Sequence, residues 1–277
     1  MKKSTGIRLF LRAVYARAYP RIWGMNREPS WIFFEVVVPL INTSAFVFLY
    51  EALHAPQAFV GFVVLGGVMA AYWLNILWSM ATQLYWDKQE GNLELYVIAP
   101  ASLMALLLGM AVGGLYSTTL RAATIAVVGT LIFGVTFDGS QWGFALLVFL
   151  VTMVALYGLG MMMSSLFLIW GREGWQLALS LTEPVNFLSG MNFPLAKLFT
   201  SIPGVLTIFS AIIPVSFGLD ALRQLLFPGQ IIGVLPPGVE VAILAGMGVV
   251  FLLAAYLLLR RMEWLAKVEA RLSLRWQ

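Results

Sequence analysis

Apolar residues run along this chain in blocks of about twenty or more, and the polar residues gather at the breaks between blocks. A transmembrane helix needs about 20 mostly apolar residues to cross about 30 Å of hydrocarbon. Six blocks meet that requirement: about 31–50, 58–84, 103–137, 142–170, 174–191 and 239–259. The third is longer than a crossing requires, so part of it is expected to lie in the interface. The pattern predicts an all-α membrane protein with six transmembrane helices. Between the fifth and last blocks, residues 193–237 stay apolar but are broken by Pro194, Pro203, Pro214, Pro228, Pro236 and Pro237. Prolines at that density are incompatible with one straight helix. A re-entrant helical hairpin fits better, since irregular backbone at membrane depth needs protein or a cavity around it. Ahead of the first block, Leu9, Phe10, Val14, Tyr15, Tyr19, Ile22 and Trp23 recur at helical spacing among Arg8, Arg12, Arg17, Arg21 and Arg27. Residues 1–30 therefore read as an amphipathic interfacial helix, and 31–277 as the transmembrane domain.

Composition fixes the solvent as lipid. Of 277 residues, 61% are hydrophobic and 11% charged, against about 25% charged in soluble domains. The chain has no Cys and one His, His54, which excludes disulfides, thiol chemistry and a His-cluster metal site. The formal charge of +4 has a topological meaning rather than a nucleic-acid one. Lys2, Lys3 and the five arginines named above precede the first block, and Arg260, Arg261, Lys267, Arg271 and Arg275 follow the last. Lys88 follows the second block and Arg172 the fourth, whereas residues 51–57 and 138–141 carry no Lys or Arg. By the positive-inside rule both termini are expected in the cytoplasm, with the chain multi-pass in the plasma (inner) membrane. The arginines interrupt the N-terminus too often to leave a signal-peptide apolar region, so no cleaved leader is expected.

Catalytic patterns are missing from the sequence. None of the five lysines sits in a G-x-x-x-x-G-K-[ST] phosphate loop, and no H-E-x-x-H, G-x-S-x-G or acidic metal cluster occurs. Specific signal begins after the second block, where Asp87, Lys88, Gln89 and Glu90 lead into Gly91-Asn92-Leu93-Glu94, then Pro100-Ala101-Ser102. A second stretch, Ser189-Gly190-Met191-Asn192-Phe193-Pro194, closes the fifth block, and Pro214-Val215-Ser216-Phe217 followed by Leu222-Arg223 precedes the last. Together they resemble, in order and separation, the motifs of the ABC type-2 permeases. In that family an acidic run enters G-T-L-E and a P-x-S turn, S-G-x-x-F-P ends the fifth span, and a P-x-x-x…x-R stretch follows. This chain departs from the first motif at Asn92.

The resemblance implies the membrane subunit of an ATP-binding cassette exporter. Segment 85–102 would couple to a separate ATPase through Asp87, Glu90, Gly91, Leu93, Glu94 and Pro100. An external gate region would contain Ser189, Gly190, Phe193, Pro194, Pro214 and Arg223. The implied partners are two ATPase subunits, a second permease subunit in a homo- or heterodimer, and membrane lipid, without nucleic acid. ATP and Mg would be bound on the ATPase, leaving no cofactor and no catalysis in this chain. An amphiphile (a drug, a lipid or a lipid-linked glycan) would be the substrate. A secondary transporter or channel is the alternative, and would show an internal repeat with paired broken helices; none stands out. Arg121 and Glu183 lie inside the third and fifth blocks, where an ionisable group costs about 2.5–3.5 kcal/mol on insertion scales. They are expected either to pair or to face the substrate.

Overall fold

The computed structural model describes residues 6–25, 27, 29–99, 101–170, 172–201, 204–230 and 232–269. Its regular structure among these residues is entirely helical. Twelve α-helices follow one another: α1 (Ile7–Met25), α2 (Pro29–Ala52), α3 (Ala58–Ile76), α4 (Gln83–Gln89), α5 (Asn92–Ile98), α6 (Leu103–Phe133), α7 (Trp142–Trp170), α8 (Arg172–Leu188), α9 (Leu195–Ser201), α10 (Gly204–Ile212), α11 (Pro214–Leu226) and α12 (Pro237–Glu269). A π-helical turn, Leu77–Ala81, joins α3 to α4, so that Ala58–Gln89 forms one 32-residue candidate span.

Among the described residues, four helices are long and apolar enough to cross a membrane, and a fifth is reached if α10 and α11, bent by 84°, count as one span. Two of the six expected spans, those in α2 and α8, are not among these. Among the described residues of α2 the apolar stretch is Val36–Ala52. Gln176, Ser180, Thr182 and Glu183 dilute α8, which has 17 residues. The long third block also ends early: α6 stops at Phe133, where Gly134 takes a left-handed conformation (φ 64°), a geometry that glycine adopts without a Cβ penalty. The stretch expected as a hairpin contains three helices, α9, α10 and α11.

Helix α3 is the axis of the bundle. Phe62, Val63, Met69, Tyr72, Trp73 and Ile76 are all buried, with α2, α6 and α11 packed along it and α7 closing over the π turn. Helix α12 is peripheral: it packs on α7 and α11, and Val249, Val250, Leu253 and Leu257 are exposed. A side chain with that much apolar exposure along a helix of this length suits a lipid environment.

Helix α1 differs from the expected amphipathic pattern. It lies along α6, where Gly109 and Gly113 let its backbone approach closely; a Cβ at Gly109 would overlap Val14 O. Arg17 and Arg21 are half-buried and turn toward the protein. Ile7, Leu11, Tyr15, Tyr19 and Trp23, four residues apart, instead form an exposed stripe. The reason is local: the inward face must be small or flexible to fit the glycine groove, and the two arginines have acceptors there.

Candidate functional site

Two clusters of polar contacts stand at opposite ends of Ala58–Gln89. At the α5 end, Arg17 reaches from α1 to both carboxylate oxygens of Asp87, with Nη2–Oδ2 at 3.0 Å and Nη2–Oδ1 at 3.2 Å. Its Nη1 donates to the Tyr96 hydroxyl of α5 at 2.9 Å, and the guanidinium carbon lies 5.4 Å from the Tyr96 ring centre. Gln83 supplies a further donor to Asp87 Oδ1 at 3.1 Å. One guanidinium thus ties α1, α4 and α5 together. Burial, and after it the Asp87 carboxylate, push the Tyr96 phenol above its ordinary value, so Tyr96 presents a neutral hydroxyl to the arginine.

The turn between α4 and α5 is built on Gly91, left-handed at φ 76°, where a side chain would be strained. Beyond it, Leu93 is buried in the chain's own core, while Glu90, Glu94, Leu95 and Ile98 are exposed. Of the residues expected to form an outward docking knob, Asp87 and Leu93 therefore face inward, because each has a partner or a cavity to fill within the chain. The outward acidic and apolar groups are Glu90, Glu94, Leu95 and Ile98. Pro100 lies outside the described residues. Ser102 caps α6 by accepting from Ala105 N, and Glu263 of α12 accepts from Leu103 N.

At the other end, Arg223 of α11 is fully buried and donates to four backbone carbonyls. Nη1 bonds Gly190 O at 2.7 Å and Phe193 O at 3.0 Å, and Nη2 bonds Met191 O at 2.7 Å and Phe62 O at 2.9 Å. Three of these carbonyls belong to the turn 189–194 that follows α8, and the fourth to α3. The turn reverses at Gly190 (φ 67°). Ser189 and Pro194 are buried and Phe193 is half-buried. Tyr50 of α2 donates to Asn192 O at 2.8 Å, and Ser210 to Leu188 O at 2.6 Å. Gly66 makes room for the turn, since a Cβ there would overlap Met191 O. Pro214 occupies the first turn of α11, after Ile213 in extended conformation, as suits a residue that lacks an N–H. The structure thus brings Ser189, Gly190, Phe193, Pro194 and Arg223 into one assembly.

Beside it, Asp220 and Glu240 are buried. Asp220 accepts from Val234 N at 2.8 Å. Gln224 Nε2 lies 3.2 Å from Asp220 Oδ2, 2.9 Å from Leu235 O and 3.4 Å from Glu240 Oε2. This cluster fixes the loop after α11 to the start of α12. Sequence reading passed over it, although the spacing of Asp220 and Gln224 places both on one helical face. It also missed the roles of Arg17, Tyr96 and Tyr50, which look generic until their partners are known.

Arg121 is buried on α6, which packs on α1, α2, α3, α12 and the π turn, and Glu183 is exposed on α8, which packs on α7, α10 and the π turn. No group of three or more His, Cys, Asp or Glu side chains positioned to hold a metal occurs among the described residues.

A family model described as "ABC-2 type transporter" matches residues 11–227, a stretch that contains both clusters. No curated protein matches the chain.

Proposed function

The chain belongs to the ABC-2 type transporter family, as a multi-pass transmembrane permease component of an ABC transporter, and from that premise we propose that it is one half of an exporter driven by a separate ATPase. Two permease copies face each other, and each carries an ATPase on its α5 end. Both termini are on the cytoplasmic side of the inner membrane. Helices α2, α3–α4, α6, α7, α8 and α12 make six crossings, α9–α11 form the re-entrant outer region, and α1 rests in the headgroup layer on its Ile7–Trp23 stripe. An amphiphile is moved outward between the copies.

The observation that carries this reading is the outward face of α8. Gln176, Leu179, Ser180, Glu183 and Phe187 are exposed there, with Glu183 in the second half of the helix. A carboxylate facing hydrocarbon would cost several kcal/mol, so this face needs water or protein, which a second copy and a central pathway supply. A mixed polar and aromatic lining also suits an amphiphile better than an ion. At the α5 end, Glu90 and Glu94 with Leu95 and Ile98 offer the charged and apolar groups of a docking surface.

Cysteine labelling tests the reading, because the chain has no native Cys. A water-soluble maleimide should label a cysteine at Glu183 in membranes and leave one at Leu253, on the exposed face of α12, unreacted. Equal silence at both positions would place α8 against lipid and overturn the proposed pathway. Copurification with a partner ATPase, lost when α5 carries Glu94→Arg with Leu95→Asp, tests the docking surface separately.

A further inference from the structure

The π turn Leu77–Ala81 interrupts the longest candidate span among the described residues, and three side chains donate to carbonyls in and beside it. Ser79 Oγ donates to Asn75 O at 2.8 Å, Thr82 Oγ1 to Trp78 O at 3.0 Å, and Arg21 Nη1 to Ser79 O at 2.7 Å. The first two come from the helix itself. Arg21 comes from α1 and passes through a slot in α6 made by Gly113 and Gly114. A Cβ on Gly113 would stand 3.0 Å from Arg21 Cβ, and one on Gly114 would stand 2.7 Å from Asn75 Oδ1 and 3.4 Å from Arg21 Nε. Around the turn, Asn75 Nδ2 donates to Ser79 Oγ at 2.9 Å and Tyr157 of α7 reaches Asn75 Oδ1 at 3.4 Å.

A π turn holds one residue more than an α turn, and such turns are rare and concentrate where helices work. Relaxing this one to α geometry without deleting a residue would rotate everything beyond it by about 100° and shift it by about 1.5 Å. Asp87 would leave Arg17, and the buried face of α4 would swing outward. Arg17 and Arg21 are four residues apart on α1, so one helical face holds both the π turn and the end of the same span.

We propose that Arg21 is a positioning residue that holds the second span in its π-turned register, so that α1 sets how the α5 end is oriented relative to the Arg223 end. It rests on the permease reading for its use but not for its geometry. Arg21 donates to a carbonyl that a continuous α-helix would bond internally, and so favours the π form over the α form by that contact. Ser79 and Thr82 stabilise either form, because their bonds stay within one helical turn.

The test uses the full chain in nanodiscs, without substrate or ATPase. Backbone hydrogen exchange over residues 77–83 should quicken by about ten- to a hundredfold in Arg21→Ala, the ratio that loss of one charge-assisted hydrogen bond produces. Arg21→Lys should restore most of the protection, since it can still donate to one carbonyl. A cysteine at Leu84, 1% exposed, should be inert to maleimide in the parent and reactive in Arg21→Ala. Deleting Ser79 removes the extra residue and the need for the contact, so on that background Arg21→Ala should change neither exchange nor labelling. Unchanged exchange and an inert Leu84 cysteine in Arg21→Ala would overturn the proposal, as would an equal effect of Arg21→Ala with and without Ser79. Failure of the pathway labelling at Glu183 with success here would remove the permease reading alone.

Discussion

Replacing Arg223 by Met keeps an unbranched stem and removes the guanidinium, and the structure says what that should cost. Four carbonyls at 2.7–3.0 Å lose their donor. A hydrogen bond to a charged group contributes about 1.5–3 kcal/mol, and a buried acceptor left bare costs about 1–3 kcal/mol. Against this, the variant no longer desolvates a full positive charge, a term of several kcal/mol. The net loss should be about 3 kcal/mol, which for a chain of this size corresponds to a fall in melting temperature of about 6–12 °C. Arg223→Lys should fall in between, because a single ammonium cannot span carbonyls from both α3 and the 189–194 turn. Tryptophan fluorescence of the protein melted in nanodiscs measures the shift. Local release is read independently from a cysteine at Met191, 2% exposed, which should react with maleimide only when Arg223 is replaced. If Arg223→Met melts with the parent and the Met191 cysteine stays silent, the turn is held by something else and the reasoning fails.

Arg17→Ala and Asp87→Ala should each destabilise the protein and combine with less damage than their sum, by about 1–3 kcal/mol in a double-mutant cycle, discounted toward the lower end because the Arg17 side chain is 27% exposed; strict additivity would dissolve the pair. Tyr96→Phe should lose about 1 kcal/mol by the same melt, since only one neutral acceptor is removed, and no loss would mean that the contact is incidental. Glu94→Arg should melt with the parent, as Glu94 is exposed, yet lose stimulation of the partner ATPase; normal export at normal expression removes Glu94 from the docking surface. Single cysteines at Ala55, Gly139 and Gly229 should react with an impermeant reagent on intact cells and one at Asn92 should not, and the reverse pattern would invert the proposed orientation.

What the sequence made legible was set by how far each signal extends along the chain. Helices α3, α6, α7 and α12 were readable because twenty or more consecutive apolar residues need no partner to be recognised. The expected fourth block, 142–170, coincides with α7. Arg121 and Glu183 show the opposite case. Both stand out as costly charges in apolar blocks, but pairing depends on which helices are neighbours, and linear spacing does not encode that. The π turn left no mark either, since Leu77–Ala81 looks like any other apolar stretch. The resemblance placed Leu93 beside Glu94 among the residues that would couple to the ATPase. Only the fold around Gly91 shows that Leu93 points into the core and Leu95 away from it.

The three arginines that matter most hold one helix at three levels, and their chemistry explains the choice of residue. Arg223 fixes the α3 carbonyl of Phe62, Arg21 the carbonyl of Ser79, and Arg17 the carboxylate of Asp87. From Phe62 to Asp87 is about 38 Å of helix at ~1.5 Å per residue, close to the full thickness of a bilayer with its headgroups. Lysine could not fully serve Arg223 or Arg17, because each needs donors separated in a plane: to two segments at Arg223, and to a carboxylate and a phenol at Arg17. A helix pinned at both ends and in the middle transmits a displacement only by moving as a unit or by changing register at the turn. The upper pin leads to backbone carbonyls of the 189–194 turn, and the lower pin leads to α5. A force applied to α5 therefore reaches the 189–194 turn through the backbone of α4 and α3 and the Arg223 hydrogen bonds, and the π turn lies on that path between the two ends.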